Sequence, residues 1–225
     1  MRIFKWAGSY LFSLGWFFLG LLALSLASTT AVAQTPQTSW QVVEQGIAEL
    51  TSAFEEYKDT YTSNPELLYS KLDEAMQASV DFRYISARVM GGRYFRAATP
   101  GQRRQFAETF QTTLVRTFGQ GLMSFDYREF DLHIQEQETR FEDQDKVDLD
   151  VIAKNGKRYP VTFTLRLHDG QWKIINLIVN GINLGLTFNS QFDRAMREHN
   201  RNFDLVIANW SPDELLTEMK QSEVE

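Results

Sequence analysis

Two dipeptides, Asn155-Gly156 and Asp169-Gly170, stand between runs of alternating apolar and polar residues in the second half of the chain. Asn-Gly and Asp-Gly readily take the positive φ of two-residue hairpin turns, so they tie neighbouring strands into antiparallel pairs. Phe130, Leu132 and Ile134 alternate with Asp131, His133 and Gln135, and Val147, Leu149 and Val151 alternate with Asp148 and Asp150. Tyr159, Val161, Phe163, Leu165 and Leu167 follow in the same rhythm. The last run, Trp172 to Val179, is apolar at both parities. Strict alternation puts Trp172, Ile174 and Ile178 on one face and Ile175, Leu177 and Val179 on the other. The pattern predicts a four-stranded antiparallel meander with type I′ turns, whose last strand is covered on both faces or lines a cavity.

Helical periodicity flanks this meander, which makes the class α+β. Val43, Ile47, Leu50 and Phe54 predict a helix over about 40–61, ended by Ser63-Asn64-Pro65. Pro65 suits the first turn of a second helix carrying Leu68, Leu72 and Met76. A third is expected over about 82–90, stopping at Gly91-Gly92. Thr99-Pro100-Gly101-Gln102 is a capping-box start for a fourth, with Phe106, Phe110, Leu114, Phe118 and Leu122 at spacing four. Helix is expected again over about 186–198 and 202–209, and Ser211-Pro212-Asp213-Glu214 caps a final one.

The N-terminus reads as an export signal. Arg2 and Lys5 precede an uncharged run from Trp6 to Leu26, and Ala31-Val32-Ala33 offers a small-x-small cleavage pattern. The competing reading is an uncleaved anchor, because the run is long enough to span a bilayer. Residues 1–33 are therefore assigned as a signal peptide cleaved after Ala33, and 34–225 as a single domain. The leader carries two basic residues and no acidic ones, so its removal takes the net charge from −6 to −8. That sign makes wholesale nucleic-acid binding an unsuitable function. Cysteine is absent, which excludes disulfides, thiolate metal sites and cysteine nucleophiles and suits a periplasmic destination.

The usual catalytic signatures are missing. The three histidines, His133, His168 and His199, fall in unrelated elements, and no metalloprotease, serine-hydrolase elbow or nucleotide-binding spacing occurs. The acidic run from Glu136 to Asp150 lacks the glycine and terminal glutamate of a calcium loop and reads as a solvated hairpin. No enzyme activity, metal or cofactor is expected. Two features are less ordinary. Seven arginines (Arg83, Arg88, Arg93, Arg96, Arg103, Arg104 and Arg116) face a single acid, Glu108, across one segment. That is either a solvated helical face or a contact for phosphate or an acidic partner. The chain beyond the leader also keeps 13 Phe, 7 Tyr and 3 Trp, a surplus of apolar surface.

Met90-Gly91-Gly92-Arg93-Tyr94-Phe95-Arg96-Ala97-Ala98-Thr99-Pro100-Gly101-Gln102-Arg103 resembles the signature of the MlaC family, periplasmic phospholipid-binding shuttles also called toluene-tolerance proteins. Phe118-Gly119-Gln120-Gly121-Leu122, Trp172-Lys173, Ile178-Val179-Asn180-Gly181-Ile182-Asn183-Leu184 and Ser190-Gln191-Phe192 are similar to later stretches, in order, across about residues 40–216. The chain departs from the family at Asn176 and Asn180, where acids are usual, and at Thr187-Phe188-Asn189.

The resemblance implies a curved four-stranded sheet with helices enclosing a deep apolar cavity for lipid tails. It implies phospholipid carried between an outer-membrane lipoprotein–porin complex and an inner-membrane ABC transporter with an MCE-type component, maintaining outer-membrane asymmetry. The tail-binding residues expected on the matching elements are Phe82, Ile85, Val89, Tyr94, Phe106, Phe110, Leu114, Phe118, Val151, Phe163, Leu165, Trp172, Ile174, Ile178, Ile182 and Phe188, about half lining the cavity. Arg93 and Arg96 are expected at its mouth, against headgroup or partner. Phe110→Asp is expected to leave a folded protein with little lipid. Three alternatives stand beside this: an enzyme on a similar cone-shaped fold, an anchored protein-binding scaffold, and a carrier of another apolar ligand such as a quinone or hopanoid.

Overall fold

The computed structural model describes residues 37–124, 127–135 and 142–212. The leader read over residues 1–33 lies outside the described residues, as does most of the final helix expected after Ser211.

Capping side chains set the helix starts. Thr38 and Gln41 form a reciprocal capping box at the head of α1 (Ser39–Tyr57), which ends in a 3-10 turn, Lys58–Thr60. Asn64 caps α2 (Pro65–Ser79), with Pro65 at the first position, and Asp81 caps α3 (Phe82–Ala97). Thr99 and Gln102 form the second capping box, on α4 (Pro100–Met123). Beyond the sheet, Asn183 caps α5 (Leu184–Glu198) and Asn202 caps α6 (Phe203–Ala208).

Gly91 interrupts α3 as the sequence predicts, with φ 69° and ψ 156°, but helix resumes at once and runs to Ala97. Asn189 of α5 makes this possible. Its Nδ2 donates to the carbonyls of Val89 (2.8 Å) and Arg88 (3.4 Å), which a broken helix would otherwise leave open.

The helices share one core. Phe106 and Phe110 of α4, Phe188 and Phe192 of α5 and Trp210 interlock, with ring centroids from 4.8 Å to 6.3 Å apart. Leu68, Leu72, Val89, Met90 and Met196 pack around them at 0–1% exposure. Each such side chain contributes about 1.5–3 kcal/mol by leaving water.

The sheet has five antiparallel strands in sequence order: β1 (Phe130–Ile134), β2 (Gln144–Ala153), β3 (Arg158–His168), β4 (Gln171–Val179) and β5 (Ile182–Asn183). Four were expected. The fifth exists because Asn180-Gly181, at φ 49° and 83°, makes a tight turn of the same kind as Asp169-Gly170 at φ 50° and 76°. Asn155-Gly156 departs from the expected type I′ turn. Only Gly156 has positive φ (84°), and its N–H donates to Ala153 (2.8 Å). This is a type I turn closed by a left-handed glycine, in a four-residue loop.

The register also corrects the faces of β4. Leu165 pairs with Ile174 but Thr164 pairs with Asn176, so Ile175 is an extra, bulged residue. Trp172, Ile174, Leu177 and Val179 therefore share one face, opposite Leu167, Leu165, Phe163 and Val161, and Ile178 turns to the other with Thr162.

Candidate functional site

With the bulge in place, one face of the sheet is apolar from edge to edge. It carries Phe130, Leu132 and Ile134 of β1 and Val147, Leu149, Val151 and Ala153 of β2. β3 adds Tyr159, Val161, Phe163, Leu165 and Leu167, β4 the four residues named above, and β5 Ile182. The opposite face has Asp131, His133, Lys146, Asp148, Asp150, Arg158, Thr162, Thr164, Arg166 and Lys173. The single polar residue on the apolar face is Asp145, which is 3% exposed and accepts a hydrogen bond from Ser39 Oγ at the start of α1.

That bond fixes α1 over one corner of the face. Val42 and Val43 pack there against Val147, Leu165 and Trp172, with Trp40 and Ile47 alongside. This small cluster is separate from the helical core, which meets the same face through Ile182 at the far corner. Between the two runs a strip, Leu132, Val151, Tyr159, Leu177 and Val179, whose five residues belong to neither cluster and are interrupted by Leu149 and Val161, which are buried though also in neither. All five are partly or largely solvent-accessible, and Leu132 is 48% exposed.

The expected tail-binding residues divide into three groups. Phe82, Val89, Tyr94, Phe106, Phe110 and Phe188 are buried in the helical core, and Leu165 and Trp172 in the α1 cluster. Ile85, Leu114, Ile174 and Ile182 are half-buried at the margins of these clusters, and Phe163 lies beside α1. Val151 lies on the open strip, Ile178 on the polar face, and Phe118 is 37% exposed on α4. Phe110 is fully buried among Phe106, Phe188 and Trp210, so Phe110→Asp removes core packing and reports stability, not lipid alone. The sequence reading did not name Leu132, Tyr159, Leu177 or Val179 as tail-binding; the register places all four on the partly exposed strip. Alternation in β1 and β3 pointed to the first two, whereas the bulge hid the others.

Arg93 and Arg96 are exposed on the second half of α3. Arg116 pairs with Glu66 and lies over the Tyr69 ring at 5.0 Å. Tyr94, beside Arg93, donates to Asp193 Oδ1 at 2.9 Å, and burial followed by this bond pushes its hydroxyl pKa up.

A cleft of about 340 Å³ opens beside α1, the end of α2 and the start of β4, lined by Val42, Ala78 and Trp172 together with Gln37, Gln45, Glu49, Gln171 and Lys173. Trp172 alone of the expected tail-binding residues reaches it. Among the described residues no group of His, Asp or Glu side chains could hold a metal ion. No described helix is long and apolar enough to cross a membrane. What the geometry offers is an apolar sheet face whose two corners are claimed by the described helices, with Leu149 and Val161 also buried and Leu132, Val151, Tyr159, Leu177 and Val179 left partly accessible.

The MlaC protein family matches residues 44–212. The toluene tolerance protein ttg2D of Pseudomonas putida is 34% identical over 192 residues, covering 85% of this chain and 88% of that protein. The intermembrane phospholipid transport system binding protein MlaC of Haemophilus influenzae is 20% identical over 208 residues, covering 90% and 89%. In fold, the chain is similar to a phospholipid-binding protein from Ralstonia solanacearum solved in complex with a phospholipid. The TM-score is 0.63 at 18% identity, over 76% of this chain and 98% of that one. By sequence, the chain belongs to the MlaC family.

Proposed function

We propose that this protein is a periplasmic phospholipid carrier, exported by a leader cleaved after Ala33, that shuttles lipid between membrane complexes and so maintains outer-membrane asymmetry. The observation that carries the reading is the apolar strip through Leu132, Val151 and Leu177, which neither core cluster claims. Acyl chains laid along it would part the sheet from the helices and open the cavity the resemblance implies, with Ile85, Phe163, Ile174 and Ile182 at its margins. The relatives' names, a phospholipid transport binding protein and a toluene tolerance protein, support the same cargo class.

The energetics explain why such a protein docks. Two acyl chains hold roughly 30 methylenes at about 0.8 kcal/mol each, a total of about 24 kcal/mol, beyond the usual ceiling of non-covalent affinity. Lipid neither crosses water alone nor leaves the carrier into water. Transfer needs contact with membrane complexes: an inner-membrane ABC transporter with an MCE-type component and an outer-membrane lipoprotein–porin assembly. No bond changes in such a cycle, and no catalytic group is required.

Leu132→Asp tests the reading. Leu132 is accessible enough for the variant to fold, yet a carboxylate there has no place against an acyl chain. We expect a several-fold loss of organic-extractable lipid from purified protein with unchanged circular dichroism. Wild-type lipid content in that variant would remove the strip from the binding surface.

A further inference from the structure

The arginine-rich segment gathers with a second one in space. Arg93 lies over the Tyr94 ring at 5.4 Å, and Arg103 over Phe95 at 4.4 Å, while Arg103 also donates to the Arg96 carbonyl (3.4 Å). α5 meets them there, because Asp193 both accepts from the Tyr94 hydroxyl (2.9 Å) and pairs with Arg197 (2.9 Å). Arg201 lies near enough to act on the same hydroxyl as Arg93 does. Gln102 ties the start of α4 to Asp204 of α6 at 2.8 Å. Residues 93–104 and 193–204 thus form one corner with seven arginines against three carboxylates, Asp193, Glu198 and Asp204, on a chain of net charge −6.

Two details mark the corner as a surface built for contact. Arg93, Arg96, Arg104 and Arg201 are exposed, and no carboxylate among the described residues pairs with them. Asn200 and Arg201 both hold left-handed backbone, at φ 52° and 60°, with the Arg201 N–H bonded to Met196 (2.7 Å). Two successive non-glycine residues in that region are a strained way to end a helix, and such strain concentrates where a side chain must be aimed.

We propose that this arginine corner docks the protein onto anionic lipid bilayers. Guanidinium groups pair with phosphate oxygens bidentately, and stacking on Tyr94 and Phe95 holds two of them in place. An acidic protein surface is the weaker fit. A standard interface covers about 800 Å² on each partner around an apolar centre, whereas none of the large exposed apolar side chains among the described residues lies in the corner, the nearest in sequence being Leu205, at 42%. Electrostatic adsorption needs no such centre. Each arginine near an anionic surface raises partitioning about fivefold, and salt screens the attraction over about 8 Å. The corner uses none of the sheet's residues, so its test is independent of cargo binding.

The experiment is co-sedimentation of the purified exported protein with vesicles of phosphatidylcholine alone or with one quarter phosphatidylglycerol. We expect at least tenfold stronger partitioning to the anionic vesicles, abolished by high salt. R96E/R201E should lose at least tenfold of that binding, keeping its circular dichroism and its extractable lipid, while R83E/R88E, outside the corner, should bind like wild type. Equal partitioning to both vesicles would overturn the proposal and leave an acidic protein as the partner to seek. Unchanged binding by R96E/R201E, or an equal loss in R83E/R88E, would overturn it too.

Discussion

At the scale of single residues, the signature around Gly91 has a mechanical explanation. Gly91 sits at positive φ, and a β-carbon there would lie 3.0 Å from Asn189 Nδ2, the group that satisfies the broken helix. Gly91→Ala should therefore cost about 1–3 kcal/mol, and Asn189→Ala about 1 kcal/mol, both measured by urea denaturation. Asn176 works in a similar way. Its Oδ1 accepts from the Gly185 N–H (3.1 Å), and a β-carbon on Gly185 would stand 2.5 Å from it. Local features of this kind were half legible. The capping box at Thr99 and the break at Gly91 were read from neighbours in sequence, whereas the Thr38 box was not read and the partner of that break lies 100 residues away. Tyr94 gives a pH prediction. Its hydroxyl pKa is raised in the fold, so its contribution is complete below the ordinary tyrosine range and lost as pH rises through and above it. Tyr94→Phe should therefore show a shallower loss of stability in alkaline denaturation than wild type.

At the scale of elements, the bulge at Ile175 decides what the sheet can do. Period 2 read through β4 divides its apolar residues evenly between two faces. The extra residue instead puts Leu177 and Val179 beside Trp172 and Ile174 and completes one apolar surface. The sequence announced that β4 was unusual by being apolar at both parities, but the position of a bulge depends on cross-strand register, which no single strand encodes. The docking of α1 was equally hidden, because Ser39 and Asp145 are 106 residues apart. Asp145 looked like one more acid of a solvated hairpin. Ser39→Ala leaves its buried carboxylate without that donor and should cost about 1.5–3 kcal/mol in chemical denaturation. Loss below the lower figure would mean that packing of Val42 and Val43, not the hydrogen bond, seats the helix.

At the scale of the whole molecule, two apolar clusters meet one sheet face at opposite corners and leave a strip between them. The α+β class and the meander were legible, since hydrophobic periodicity carries them. The division of apolar residues into core and binding surface was not, because a tail-facing phenylalanine and a core phenylalanine look alike in a pattern. Phe110 and Val151 fall on opposite sides of that division. The proposed carrier function requires that bound lipid stay with the protein through purification, since release into water is so unfavourable. The most direct measurement is a native mass spectrum of the protein purified gently after export from its full-length sequence. The account predicts a species starting at Gln34 with added mass matching phospholipid, released by organic solvent. A clean unliganded mass, with no lipid in the solvent extract, would contradict it.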